Sequence, residues 1–251
     1  NLRLARPDLL VDLRLIEGLD GITVEGDQLV IGAMATKRAA ERSSLVKEHH
    51  PLLHASTLLV GHPQIRNRGT VGGSMAHADP AAGYPAVALA CDATFKIVGP
   101  TGERVVGASE FFLGYLTTAI EPGEVLVEVR FHVMAPGTGW AFEELARRDG
   151  DFAMVGAAIV LPVDSAGLIN DARVVLFSVG PTPVRVAEVE ALLSGERPNA
   201  DLFKRAGALT REVIDEPGAD IHASSQYRRN LAGVLVQRGL VNAAARVGGQ
   251  S

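Results

Sequence analysis

Residues 64–80 read QIRNRGTVGGSMAHADP, a basic turn joined to a glycine pair and then to a histidine and an aspartate. Gly69, Gly72 and Gly73 lack the Cβ that restricts other residues, so the amides of residues 70–74 are expected to converge on one anion. Thr70 and Ser74 add hydroxyl donors, and Arg66 and Arg68 add positive charge. The expected occupant is a phosphate-bearing cofactor. A GTVGGS run alone is more often a plain glycine turn, and it fits neither G-x-G-x-x-G nor G-x-x-x-x-G-K-[ST]. It is the whole string that favours function.

Around this loop, 251 residues with 47% hydrophobic content suffice for a sizeable core. Two domains are expected, 1–135 and 139–251, divided where Pro136, Gly137 and Gly139 break both helix and strand. The net charge is -5 and no lysine or arginine block occurs, which argues against nucleic acid as a partner. The longest apolar stretches, such as 153–161, fall short of the roughly 18 residues a membrane span needs. A single cysteine, Cys91, excludes an internal disulfide and agrees with a reducing compartment. It also leaves the chain without the roughly four thiolates an iron–sulfur cluster takes. The seven histidines form no H-E-x-x-H or Cys/His array, so no metal site is expected.

Patterning predicts a mixed α+β chain. Residues 10–16 read as a short strand, and 21–33 as a hairpin about Glu25, Gly26 and Asp27. Thr36 is placed to cap a helix running to about His49, and Pro51 to open the next one. A helix is expected over 80–91, followed by strands at 94–98, 104–106 and 124–132. The second half predicts three antiparallel strands, 140–147, 154–163 and 168–179, with a turn at 164–167. Helices over 184–193, 202–214 and 225–246 then cover one face.

Taken together, IGAMAT (31–36), residues 64–95, FFLGYLTTAIEPGEVLVEVRF (111–131), ARRDGDFAMVGAA (146–158) and SSQYRRNLAGVLVQRGL (224–240) resemble one family. It is the FAD-binding medium subunit of molybdenum hydroxylases, of the carbon monoxide dehydrogenase type and related to the xanthine dehydrogenase flavin domain. The resemblance runs nearly end to end. It implies a PCMH-type FAD-binding domain, mostly antiparallel sheet with helices, followed by a three-stranded antiparallel sheet with a helical layer. It further implies a small [2Fe–2S] subunit and a large molybdopterin subunit as partners, in a dimer of three-chain units in the cytoplasm. FAD then serves as the exit for electrons to an external acceptor.

Position by position, Thr70, Val71, Gly72, Gly73 and Ser74 match a phosphate-contacting FAD loop, and Val60 matches a contact just before it. Leu126 matches an apolar contact on a strand near the flavin. Phe152 matches an aromatic residue lying over the isoalloxazine, with a core aromatic as the alternative. Two positions depart from the family pattern. Gly83 stands where an acidic residue is frequent and Glu144 where a lysine is frequent, with Asp79 expected to take part of the polar role. The chain opens on NLRLARP, without an initiator Met, and reads as the interior of a domain. The family implies an upstream glycine-rich loop on the other side of the pyrophosphate, so weakened flavin binding is expected. A flavin-free scaffold of the same fold is the alternative function, and a self-contained FAD dehydrogenase using His77 and Asp79 is a third.

Overall fold

A computed structural model describes residues 8–249. The expected strand at 10–16 is a short 3-10 turn, Leu13–Leu15, flanked by exposed apolar side chains and paired with no strand among the described residues. The opening residues 1–7 lie outside the described residues. Strands β1 (Ile22–Glu25) and β2 (Gln28–Gly32) form the expected hairpin, closed where Gly26 takes φ +62. Helices α1 (Lys37–Arg42), α2 (Ser44–His49), α3 (Pro51–Leu59) and α4 (Pro63–Arg66) follow. The one helix expected from Thr36 to His49 is two, because Ser43 is extended and its Oγ caps Val46 N–H at 3.3 Å.

Next come α5 (Val71–His77) and α6 (Gly83–Ala90), then β3 (Thr94–Gly99), β4 (Gly102–Gly107), α7 (Ala108–Phe111), β5 (Phe112–Gly114), β6 (Thr117–Thr118) and β7 (Val125–His132). The first sheet has the order β1-β2-β7-β3-β4 and is antiparallel throughout. The remainder is β8 (Gly139–Ala146), β9 (Ala153–Leu161), β10 (Arg173–Phe177), β11 (Val184–Arg185), α8 (Ala187–Leu193), α9 (Ala200–Val213) and α10 (Ser225–Ala245). This second sheet has four strands, not three, in the order β11-β10-β9-β8. Val184 and Arg185, expected to be helical, pair with Leu176 and Val175 instead, and the helix waits until Ala187.

Strand alternation gives the second sheet two buried faces. Val155, Ala157, Ile159, Val174 and Leu176 join the core beneath α8, α9 and α10. Ala153, Ala158, Val175 and Phe177 join the other core, which also holds α6 and the first sheet. The last two helices cross closely enough that a Cβ on Gly207 would sit 2.5 Å from the Gly233 carbonyl oxygen. With α6 packed between the sheets, the residues flanking it face the β8–β9 turn, and there the candidate site opens.

Candidate functional site

The loop after α5 is held by short-range bonds. Ala78 ends the helix in the left-handed region, φ +49, and Asp79 Oδ1 accepts from Ala81 N–H at 2.8 Å. Ser178 N–H donates to the Pro80 carbonyl at 2.8 Å and Ser178 Oγ donates to the Ala153 carbonyl at 2.7 Å. Arg228, only 6% exposed, donates to the Met154 carbonyl, to Ser178 O and Oγ at 3.3 Å, and to Asp220 at 2.5 Å. These bonds tie the loop following α5 to the first residues of β9. They leave a cleft of about 170 Å³ between the two.

Six expected residues line that cleft: Val60, Ser74, Asp79, Gly83, Glu144 and Phe152. Phe152 is 63% exposed, which excludes the core-aromatic alternative. Gly83 is the first residue of α6, and a Cβ there would meet Phe142 Cζ at 2.4 Å. Phe142 therefore occupies the space in which an acidic side chain at this position would start. His77 Nε2 and Asp79 Oδ2 stand 3.9 Å apart at the cleft, too far for a hydrogen bond.

The loop residues behave differently from the sequence expectation. None of Gly69, Gly72 and Gly73 has positive φ, and the amides of 71–74 do not converge on open space. Val71 N–H donates to Ala35 O at 2.9 Å, Gly72 N–H to Ala33 O at 3.0 Å, Gly73 N–H to Thr70 Oγ1 at 3.0 Å and Ser74 N–H to Thr70 O at 3.2 Å. Val71 and Gly72 are buried, and a Cβ on Gly72 would lie 2.5 Å from Ala33 Cα. Gly72 is thus a packing glycine. Gly73, exposed and bonded to a hydroxyl that can rotate away, and the Thr70 and Ser74 hydroxyls keep donors for a ligand. Arg66 is also committed: buried, it pairs with Glu41 at 2.9 Å and donates to the carbonyls of Val60 and Gly61. Leu126 lies in the core of the first sheet, opposite Ile97, and does not line the cleft.

The cation of the cleft is Lys37, which sequence reading missed. It is 9% exposed and lies over the Tyr84 ring at 5.8 Å, and burial lowers its pKa. A lysine at the first position of a helix opposes the helix dipole, and that misfit was the available signal. Across from it, burial raises the Glu144 carboxyl to about 7. Glu144, where the resemblance implies a lysine, is therefore an acid that is largely neutral below that pH.

A largely apolar slot with an exposed aromatic ring, one ammonium and one half-neutral carboxyl suits a flat heteroaromatic ring bearing carbonyl and nitrogen acceptors. The fold and this cleft define a flavin-binding subunit. The chain belongs to the FAD-binding family of molybdopterin dehydrogenases: residues 1–132 match the FAD binding domain in molybdopterin dehydrogenase, and 140–243 match the CO dehydrogenase flavoprotein C-terminal domain.

It is 39% identical over 245 residues to the carbon monoxide dehydrogenase medium chain of Hydrogenophaga pseudoflava, covering 98% of this chain and 85% of that one. The solved carbon monoxide dehydrogenase from Hydrogenophaga pseudoflava superimposes with a TM-score of 0.94 at 39% identity, over 98% of this chain and 85% of that one. Quinoline 2-oxidoreductase of Pseudomonas putida 86 gives 0.92 at 36% identity, over 99% and 85%. One architecture thus serves enzymes named for unlike substrates.

Among the described residues, no helix is long and apolar enough to cross a membrane, and no group of three or more metal-ligating side chains occurs.

Proposed function

We propose that this chain is the electron-exit subunit of a molybdenum hydroxylase, receiving electrons from [2Fe–2S] clusters on a small partner subunit. A large molybdopterin subunit would supply those electrons, in a dimer of three-chain units in the cytoplasm. FAD, when bound, supplies the capacity to take electrons singly and to release one or two to an external acceptor. The polypeptide binds, orients and shields it.

The observation that carries this reading is the convergence of Val60, Ser74, Asp79, Gly83, Glu144 and Phe152 on one cleft. They come from α3, α5, α6, β8 and the turns beside them, and a shared cavity is what one cofactor requires. Phe152 would cover the ring, Val60 would contact its edge, and Thr70 and Ser74 would present hydroxyls at the start of α5. Lys37 would supply positive charge for the ring or the phosphate chain. His77 and Asp79 sit at the rim as polar contacts. Substrate chemistry would take place on the partner.

Titrating FAD into the purified chain, followed by flavin fluorescence, tests the site. Phe152→Ala should weaken binding about tenfold, since an aromatic stack contributes about 0.5–1.5 kcal/mol beyond the area it covers. Because the ring is exposed, apo stability should stay within about 0.5 kcal/mol of the parent. Unchanged affinity in this variant would remove Phe152 from the site. A chain that refuses FAD altogether would leave the flavin-free scaffold as its function.

A further inference from the structure

Glu144 enters the cleft from β8, and the geometry of that strand sets its surroundings. Its neighbour Glu143 faces α10 and accepts from Asn242 Nδ2 at 2.6 Å, so Glu144 faces the opposite way, with Phe142. Directly across the ladder stands Gly156, and the Phe177 ring fills the place of its missing side chain, 2.0 Å from the Cβ position. Phe142 and Phe177 stack at 5.5 Å. Glu144 therefore shares its face of the sheet with two aromatic rings. Burial is the sole cause of its raised pKa, with no hydrogen bond or ion pair contributing among the described residues.

The other ionisable groups lining the cleft are Lys37 from α1, His77 and Asp79 at the end of α5, Tyr84 from α6 and Asp151 from the β8–β9 turn. His54, on α3, is taken up by the Glu41 carbonyl at 3.0 Å, and His62 lies beside Gly150. On the far face of the sheet, Arg246, just past α10, donates to the Trp140 carbonyl at 3.0 Å. Of these groups only Lys37, His77, Asp79, Tyr84 and Asp151 share the cavity with Glu144, and none pairs with it.

We propose that Glu144 is a proton-holding contact of the flavin ring: its neutral carboxyl donates an Oε–H hydrogen bond to an acceptor atom of the ring, so that FAD binding takes up a proton. The inference rests on the FAD reading of the cleft. A planar ring entering the slot expels the remaining water and disfavours the charged form further. Only the protonated acid can donate to the carbonyl and nitrogen acceptors that such a ring presents. The proton comes from solvent and remains on the carboxyl oxygen, and no electron moves in this step.

The test is FAD binding to the full chain from about pH 5.5 to about pH 9. It is read by fluorescence, and by calorimetry in two buffers of different ionisation heat to count protons. Parent protein should bind with constant affinity at the acid end and lose about tenfold per pH unit above about pH 7, with up to one proton taken up per FAD. Glu144→Gln, fixed neutral and of the same shape, should bind with a pH profile flat within about twofold and no coupled uptake. Glu144→Asp, which keeps a titrating carboxyl, should retain the slope.

Identical profiles in parent and Glu144→Gln overturn the inference while leaving the FAD reading intact. Affinity that rises with pH in the parent overturns it too, by showing that the carboxylate, drawn to Lys37, is the bound form. Refusal of FAD by every variant at every pH overturns the FAD reading and this inference together.

Discussion

Replacing Gly72 with alanine separates two reasons for a glycine in the GTVGGS loop, because only one of them acts without a cofactor. The new Cβ would lie 2.5 Å from Ala33 Cα, 2.5 Å from Ala33 Cβ and 2.7 Å from Ala33 O. Two of these three atoms are backbone, held by the Gly72 N–H to Ala33 O bond and by Ala33 N–H to Val127 O at 2.8 Å. Relief must come from moving α5 off the sheet. Overpacking of this kind costs about 1–3 kcal/mol, against which the better helix propensity of alanine returns about 1.

Gly73→Ala is the control. It carries the same propensity gain, but its Cβ approaches only Thr70 Oγ1, at 2.7 Å, on a side chain that can rotate. Gly72→Ala should therefore fall about 2 kcal/mol below Gly73→Ala, roughly 4–8 °C in Tm for a chain of this size. Thermal unfolding of the cofactor-free chain by circular dichroism measures it. If Gly72→Ala is as stable as Gly73→Ala and loses only FAD affinity, the packing argument is wrong and the glycine serves the ligand.

Two further outcomes are expected. His50 is fully buried, caps α3 by accepting Leu53 N–H at Nδ1, and is held down to about 4 by burial. Its folded pKa lies below the unfolded value near 6.5, so the neutral ring's stability is complete above that pH. About 3 kcal/mol is lost as pH falls towards 4. His50→Asn keeps a capping acceptor and should flatten this slope in urea unfolding across pH; parallel slopes in the two proteins would refute the assignment. Arg228→Met leaves the Met154 and Ser178 carbonyls without their donor and should cost about 1–3 kcal/mol in the same assay. A loss under about 1 kcal/mol would mean the clamp on β9 is redundant.

Local chemistry made much of this protein readable without coordinates. The Glu25-Gly26-Asp27 turn, the Thr36 cap and Pro51 at a helix start act within four residues, so the chain itself carries their outcome. The family motifs are equally legible, and they named six residues that meet in the cleft. The short strand β11 was not legible, because Val184 and Arg185 are extended only by pairing with β10.

The same distinction separates the two halves of the candidate site. That the glycine loop and Phe152 serve one site is an expectation the ordered motifs raise, and of the loop Ser74 shares the cleft with Phe152. Which amides of the loop are already taken depends on Ala33 and Ala35, residues remote in sequence that the fold brings alongside. Lys37 and Glu144 share one cavity only because the fold brings α1 and β8 to it, and burial there lowers the pKa of the one and raises that of the other. Sequence determines what a residue can donate, accept or titrate; desolvation and partner geometry, which are properties of the packed chain, decide what it does.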